Sequence, residues 1–116
     1  MNIYLGGPMR GLPNFNFPAF YEAANKLRAE GHTVFNPAER DNDTHGVDIS
    51  EGNTTGDEEQ ASNEHGFSLR EALGDDTSYL CLHADCIALL PGWERSLGAK
   101  AELALAKALG HQEIYL

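Results

Sequence analysis

Glu102 is the residue whose position in this sequence most needs a chemical explanation. Residues 96–110, SLGAKAELALAKALG, have the periodicity of an amphipathic helix, with the lysines on one side and Leu105 and Leu109 on the other. At roughly 100° per residue, Glu102 falls within about 40° of the centre of the apolar arc. An unpaired buried carboxylate is strongly destabilising, so we expect either a partner nearby or a cleft that uses the charge.

Tyr4 and Asp76 are two groups that could act together with such a carboxylate. Tyr4 alternates with Ile3 and Leu5 in a strand-like segment, so a packed aromatic ring with a solvated hydroxyl is the ordinary interpretation. Asp76 and its neighbour Asp75 lie near the start of a predicted helix, where acidic residues are favoured in any case. The residue types alone therefore leave the roles of both groups open.

Two loops carry residues that suit an anion. The first, GGPMRG, contains Gly6, Gly7 and Arg10, but it has neither the full dinucleotide-binding spacing nor a P-loop ending. It is either a tight turn that needs positive φ or an anion site with Arg10 as its cation. The second, GWERSLG, predicts Ser96 as the N-cap of the Glu102 helix, whose free amides favour an anion.

Two further residues of the second loop, and the cysteines, have simpler alternatives. Gly98 allows close backbone approach at the helix start, and Trp93, the single tryptophan, either packs or stacks on a flat ligand such as a base. Cys81 and Cys86 have a spacing that suits neither a zinc knuckle nor a disulfide framework, so we expect both to be buried packing residues. The five histidines do not cluster, and no metal site is expected.

Length and charge limit the classes of function. The 116 residues predict a single domain over residues 1–116, and 8 basic against 18 acidic residues give a formal net charge of −10. This charge repels nucleic acid polymers and leaves a small molecule as the favoured partner. The sequence has no long apolar run and no basic leader followed by an apolar segment, so we expect a cytoplasmic protein without a membrane partner.

Alternating strand and helix patterns must position these groups. Strand-like segments occupy residues 2–6, 32–37, 85–92 and 111–116, and helical periodicity occupies residues 18–30, 67–84 and 96–110. Asn16 is a candidate cap for the first helix, and Gly74 is expected to break or kink the second. Residues 39–66 are acidic and poor in apolar residues, which predicts a flexible loop that could act as a lid.

The alternation predicts an α/β protein with a three-layer, flavodoxin-like or Rossmann-like domain around a parallel sheet of four or five strands. Ligands of such sheets bind beyond the carboxyl ends of the strands. The loops GGPMRG and PGWERSLG both follow strands, so their residues are expected to meet at that edge.

Two of these segments together resemble the nucleoside 2-deoxyribosyltransferase superfamily, and especially its 2'-deoxynucleoside 5'-phosphate N-hydrolase branch. The superfamily's opening strand, I-Y-F-x-G, corresponds to Ile3-Tyr4-Leu5-Gly6, and its G-x-x-x-E pattern corresponds to Gly98 through Glu102. The likeness spans nearly the whole chain in order. The chain is similar also to small phage and bacterial proteins that share the pattern LPGWE-S-GA--E.

The resemblance implies roles for the groups identified above. Glu102 would be the nucleophile, Tyr4 would orient its carboxylate, and Asp76 would be the acid or the residue that orients the base. Ser96 matches the position where the hydrolases hold a serine for the 5'-phosphate, and Arg10 parallels an arginine near the nucleotide. The helix register leaves open whether Asp75 or Asp76 is the acid.

The activity that the resemblance implies is cleavage or exchange of the N-glycosidic bond of a (2'-deoxy)nucleoside 5'-monophosphate, without a cofactor. A carboxylate can stabilise and trap the oxocarbenium-like sugar of such a reaction while a second acid assists the leaving base. Relatives complete this cleft from a neighbouring subunit, so we expect a homodimer or higher homo-oligomer. The alternatives are a non-catalytic nucleotide-binding protein, a sensor or sponge, and a structural protein with a paired core glutamate.

Overall fold

Strands and helices alternate along the chain in a computed structural model, which describes residues 1–50, 52–66 and 68–116. The strands of the described residues are β1 (Asn2–Gly6), β2 (Thr33–Phe35), β3 (Cys86–Leu89) and β4 (Gln112–Tyr115). The helices are α1 (Phe17–Ala29), α2 (Pro37–His45), α3 (Glu58–His65), α4 (Leu69–Leu82) and α5 (Leu97–Leu109). Short 3₁₀ segments lie at Pro13–Asn16 and Trp93–Arg95.

The four strands form one parallel sheet in the order β2-β1-β3-β4. In register, Tyr4 of β1 is paired with Phe35 on one side and with Ile87 on the other. The central strands read as nearly continuous apolar runs because helices cover both faces of the sheet. The predicted three-layer α/β domain around a parallel sheet of four or five strands is confirmed, with four strands among the described residues.

The alternation of side chains along β1 assigns its residues to opposite faces of the sheet. Ile3 and Leu5 pack in a cluster with α1, whereas Tyr4 packs in a second cluster with residues of α4 and α5. Tyr4 therefore points to the same layer as the helix that carries Glu102.

The buried face of α5 differs from the predicted one. Glu102 is buried as expected, but Leu105 is 37% exposed and Leu109 is 50% exposed. Side chains at spacings of three and four positions form the face against the sheet: Ala99, Glu102, Leu103 and Ala106. Ala99 and Ala106 are small and allow the helix to pack closely on the sheet. The sequence prediction had instead placed the larger Leu105 and Leu109 at the centre of the buried face.

The segment 39–66 is more regular than predicted, because α2 and α3 account for much of it. Asn36 caps α2 by accepting a hydrogen bond from the Ala38 amide at 3.0 Å, and Asp57 caps α3 through the Glu59 amide at 2.9 Å. These side chains satisfy amides that a helix start leaves free. The prediction of an irregular loop is wrong for these helices, and the flexibility of the segment without ligand stays a prediction.

Three smaller expectations were also wrong. Helix α4 runs through Gly74 without a break, which is consistent with the modest helix penalty of about 1 kcal/mol for glycine. Cys81 is exposed, whereas Cys86 is buried. Asn16 adopts a left-handed φ of 59° and makes no capping bond, since its side chain donates to the Pro8 carbonyl at 3.1 Å.

Of the helices in the described ranges, none combines the length and hydropathy needed to span a bilayer.

Candidate active site

A cavity of about 810 Å³ lies beyond the carboxyl ends of β1 and β3. Its walls come from the first loop, from α1, α2 and α4, and from the beginning of α5. The volume falls in the range of small-molecule sites, and the position is the usual ligand site of an open parallel sheet. Of the residues predicted as the site, the cavity contains Tyr4, Gly6, Gly7, Arg10, Asp76, Ser96, Gly98 and Glu102.

Tyr4 and Glu102 form a buried pair at the floor of this cavity. The Tyr4 hydroxyl donates a hydrogen bond to Oε2 of Glu102, and the two residues are 1% and 6% exposed. Oε1 of Glu102 accepts no hydrogen bond from the described residues. The carboxylate therefore has the partner that the sequence required, and one of its oxygens stays available to a ligand.

Burial controls the protonation of this pair. Burial raises the pKa of Glu102 to about 7, and the hydrogen bond from Tyr4 opposes the rise. The pKa of Tyr4 is raised well above its ordinary value, first by burial and then by the charge of Glu102. Tyr4 thus remains a neutral donor that favours the ionised form of Glu102.

Asp76 is the second carboxyl group of the cavity. It is 8% exposed, and its Oδ1 is buried without a hydrogen-bond partner among the described residues. Burial raises the pKa of Asp76 to about 8, with the charge of Glu102 as the next cause. Asp76 therefore holds its proton at neutral pH, as a general acid must.

The structure distinguishes Asp76 from its neighbour Asp75. The Asp75 side chain is 61% exposed and forms an ion pair with Arg40 at 2.7 Å. Asp75 is not among the described residues that line the cavity. The open register of the helix is therefore resolved in favour of Asp76 as the residue that faces the site.

The glycines of the first loop are needed for space. A Cβ on Gly7 would lie 2.7 Å from the Leu90 Cβ, and a Cβ on Gly6 would lie 3.2 Å from Leu89 Cδ2 and 3.4 Å from Glu102 Oε1. Neither glycine has positive φ, in contrast to Gly11 at +80°. Close approach, rather than the turn conformation considered for this loop, explains Gly6 and Gly7.

Ser96 and Gly98 form the beginning of α5 at the cavity wall. The Ser96 Oγ accepts a hydrogen bond from the Ala99 amide at 3.1 Å, which confirms the predicted cap. A Cβ on Gly98 would meet no atom other than the Ser96 Oγ, at 4.0 Å, so the surface beside the helix start is open. The Ser96 hydroxyl proton and the first amides of the helix can be donated to an anion.

Two arginines add positive charge to the cavity wall. Arg10 lines the cavity with its side chain 47% exposed, and its Nη1 lies 3.4 Å from Glu58 Oε2 on α3. Arg95 also lines the cavity, immediately before Ser96. Arg95 was missed in the sequence, although its position beside a candidate anion-binding serine was a usable signal.

Trp93 does not belong to the described wall of the cavity. Its ring packs against Tyr115, with centroids 5.8 Å apart, and against the cluster that contains Tyr4. Of the two alternatives for Trp93, the structure favours packing. The described wall of the cavity does not include Trp93, so its contact with substrate stays a prediction without support from the cavity geometry.

Asp41 is a cavity residue that the sequence did not reveal. It lies on α2, is 4% exposed, and pairs with the Arg40 guanidinium at 2.9 Å. Burial raises the pKa of Asp41, and the hydrogen bond and charge of Arg40 oppose the rise. Its acidic surroundings in the sequence resemble a solvated loop, so no local pattern distinguished this carboxylate.

The fold and the cavity define a class of protein: a parallel α/β domain with two buried carboxyl groups, Glu102 and Asp76, in a cavity at the carboxyl edge of its sheet. Such a site can stabilise positive charge in a ligand and move a proton. The chain belongs to the family described as a domain of unknown function (DUF4406), whose model matches residues 1–115. No curated protein and no solved structure matches the chain.

Proposed function

We propose that the protein cleaves or exchanges the N-glycosidic bond of a (2'-deoxy)nucleoside 5'-monophosphate. The observation that carries this proposal is the buried Tyr4–Glu102 pair with protonated Asp76 in the same cavity. A nucleophilic carboxylate and a carboxylic acid are the two groups that retaining glycoside cleavage requires. The resemblance of the opening strand and of α5 to the nucleoside 2-deoxyribosyltransferase superfamily supports the same assignment.

In the first step, Oε1 of Glu102 attacks the anomeric carbon while the bond from that carbon to the base nitrogen breaks. The electron pair of the broken bond stays on the base, and Asp76 supplies the proton that the leaving base needs. The Tyr4 hydroxyl holds Oε2, so the carboxylate keeps its orientation as its charge is consumed.

In the second step, a water molecule attacks the anomeric carbon and the ester bond to Glu102 breaks. Asp76, now ionised, accepts the proton of the water, which restores both carboxyl groups and releases the sugar phosphate. A second base in place of the water gives exchange instead of hydrolysis. The same residues serve both outcomes.

The phosphate of the proposed substrate is assigned to the beginning of α5. The Ser96 hydroxyl, the first helix amides, and Arg95 and Arg10 supply donors and positive charge on that side of the cavity. These groups also support nucleotide binding without chemistry, which is the alternative function. Glu102 distinguishes the catalytic function from simple binding, because nucleotide binding alone gives no reason to bury a carboxylate next to Tyr4.

A homodimer is part of the proposal. Leu105 and Leu109 lie four positions apart and share the outer side of α5, and Leu82 of α4 is 75% exposed. Large apolar side chains on neighbouring helices favour burial against a second subunit.

Release of free base from a panel of nucleosides and 5'-monophosphates tests the proposal directly. Glu102→Gln should abolish base release while leaving the dissociation constant of the best monophosphate within about threefold, because the amide keeps the volume but not the nucleophile. Asp75→Asn is the matched control, since it neutralises an exposed carboxylate next to Asp76 and should retain activity. Tight binding without base release by the unaltered protein would establish the non-catalytic alternative.

A further inference from the structure

Asp41 is a buried carboxylate that the proposed reaction steps do not use. It lines the cavity and is 4% exposed, yet neither nucleophilic attack nor proton transfer requires a third carboxyl group. Its Oδ1 accepts a hydrogen bond from Arg40 Nη1 at 2.9 Å. Its Oδ2 has no hydrogen-bond partner in the described parts of the chain, so it is available to a ligand.

Arg40 holds Asp41 in place from outside the cavity. The Arg40 side chain is 9% exposed and also contacts Asp75 Oδ2 through Nε at 2.9 Å and through Nη2 at 2.7 Å. A guanidinium fixed by two carboxylates is a rigid support, and its charge favours the ionised form of Asp41. An ionised carboxylate only accepts hydrogen bonds.

The sheet order separates Asp41 from the proposed phosphate site. β1 lies between β2, which leads into the helix of Asp41, and β3, which leads to Ser96. The Tyr4–Glu102 pair therefore lies between the two ends of the cavity. With the phosphate near Ser96 and the anomeric carbon at Glu102, the base extends toward Asp41.

The surroundings of Asp41 suit a flat heterocycle with polar edges. Phe20, Ile49 and Ala72 contribute apolar surface to the wall of the same cavity. Asp76, 8% exposed, adds a buried Oδ1 without a partner among the described residues, which independently indicates that a polar ligand group belongs here. A base would present its faces to the apolar wall and its edge to the carboxyl groups.

Resting on the proposed function, we infer that Asp41 is a specificity residue that selects bases carrying an exocyclic amino group. An amino group donates a hydrogen bond to Oδ2 of Asp41. A keto oxygen at the same position would place two hydrogen-bond acceptors against each other, so no hydrogen bond can form. A site built to accept a hydrogen bond rejects an analogue that lacks the donor. The protein therefore prefers adenine over hypoxanthine and cytosine over uracil.

Two substrate pairs test this inference: the 2'-deoxynucleoside 5'-monophosphates of adenine and hypoxanthine, and those of cytosine and uracil. Within each pair, we expect kcat/KM to favour the amino base by about tenfold or more. Asp41→Asn should bring each ratio within about threefold of one, because the asparagine amide both donates and accepts hydrogen bonds. Asp41→Ser, which removes the carboxylate in a smaller residue, should reduce the ratios in the same way.

Asp43→Asn is the matched control, since Asp43 is an exposed carboxylate on the same helix and lies outside the described cavity wall, and this variant should keep both ratios. Unchanged ratios in folded Asp41→Asn and Asp41→Ser would overturn the inference. So would a lowered basic limb of the pH–rate profile with unchanged ratios, because Asp41 would then act only on the pKa of Asp76.

Calorimetric dissociation constants for the same four monophosphates, measured with Glu102→Gln, separate this inference from the proposed function. An amino preference in binding that is lost with Asp41→Asn in the Glu102→Gln background supports the role of Asp41 even if the unaltered protein releases no base. Base release without an amino preference would support the proposed function and overturn the role of Asp41.

Discussion

The hydroxyl of Tyr4 donates a hydrogen bond to Oε2 of Glu102, a residue 98 positions further along the chain. The contact joins β1, one of the two central strands of the sheet, to α5, and it explains how a carboxylate is tolerated on a buried helix face. Because the hydroxyl occupies only Oε2, the two oxygens of Glu102 have different surroundings. One is held by the protein, and the other is available for chemistry.

Tyr4→Phe should raise the pKa of Glu102, because the hydrogen bond from the hydroxyl lowers it in the native protein. The acid limb of the kcat/KM profile for base release should then shift to higher pH. We also expect kcat to fall by about tenfold or more, since the carboxylate loses its orientation. A pH–rate profile with the best monophosphate measures both effects.

Trp93→Phe is the control for this variant, because it changes packing in the same cluster without removing a hydrogen bond to Glu102. Its acid limb should coincide with that of the unaltered protein. An unshifted limb in Tyr4→Phe would show that the hydroxyl does not control the ionisation of Glu102.

Gly6→Ala should slow the reaction by placing a methyl group in contact with the free oxygen of Glu102, where the substrate must approach it. The added Cβ would lie 3.4 Å from Oε1 and 3.2 Å from Leu89 Cδ2, at a backbone position that alanine can adopt. We expect kcat/KM to fall by about tenfold with a loss of stability of about 1–3 kcal/mol.

Gly74→Ala is the matched control for this prediction. An added Cβ on Gly74 meets no atom within 4 Å, and the residue lies on the exposed side of α4. This variant should keep its activity and gain about 0.5–1 kcal/mol of stability, the usual effect of replacing a helical glycine. Equal activity of both variants would contradict the crowding of Oε1.

Much of the fold could be predicted from the sequence because its strong local signals agree with the final structure. The apolar runs of β1 and β3 and the periodicity of the helices are local, and they correctly predicted the parallel α/β layers. The burial of Glu102 could also be predicted, since helical periodicity placed it toward the sheet. Periodicity was less accurate for Leu105 and Leu109, because small alanines decide which side of α5 approaches the sheet.

Other parts of the site depend on contacts between distant segments and could not be predicted locally. Asp41 lies in an acidic segment whose composition resembles a loop, and only the packing of α2 against α1 and α4 brings it into the cavity. The distinction between Asp75 and Asp76 depends on the rotation of α4. From the sequence, Trp93 could either pack or stack on a ligand. Its contact with Tyr115, which is distant along the chain, favours packing.

The stability of the protein should fall as the pH rises from about 4 to about 8. Asp76 and Glu102 have ordinary pKa values of 3.8 and 4.5, and burial raises these to about 8 and about 7 in the folded state. The folded protein therefore holds protons that the unfolded chain releases in this window. Each such proton lowers the free energy of unfolding by about 1.4 kcal/mol per pH unit, and the stabilisation is complete below the unfolded pKa values.

Urea unfolding at several pH values across this window measures the slope. Asp76→Asn should flatten it by removing the one of these two carboxyl groups whose pKa rises more, and Asp75→Asn, which neutralises an exposed carboxylate, should not. A slope unaffected by Asp76→Asn would show that Asp76 ionises normally in the folded protein.

The protein should be a homodimer at micromolar concentration, as sedimentation velocity can show. Leu109→Lys should shift the protein to monomer, because a charge would replace an apolar side chain, 50% exposed in the single chain, on the proposed interface of α5. Val47→Lys is the control, since Val47 is 53% exposed and lies outside α4 and α5. A monomer for the unaltered protein would contradict the proposed assembly.

Ser96→Ala should weaken the use of 5'-monophosphates much more than the use of nucleosides. The hydroxyl and the first amides of α5 can give charge-assisted hydrogen bonds to a phosphate, each worth roughly 1.5–3 kcal/mol. The net charge of −10 opposes any anion at long range, but salt screens charges beyond about 8 Å, so the local donors should dominate. We expect kcat/KM for the monophosphate to fall by about tenfold or more, with little change for the matching nucleoside.

Loss of the helix cap must be separated from loss of the phosphate contact in this variant. The Ser96 Oγ accepts the Ala99 amide, and its removal should cost about 1 kcal/mol of stability in addition to any effect on phosphate. Ser68→Ala removes the corresponding cap of α4, where the Ser68 Oγ accepts a hydrogen bond from the Glu71 amide at 3.4 Å. Ser68 is not part of the described wall of the cavity. This control should lose stability but keep the preference for the monophosphate. Equal losses for nucleoside and monophosphate in Ser96→Ala would mean that Ser96 is only a cap, and a nucleoside would then replace the nucleotide as the proposed substrate.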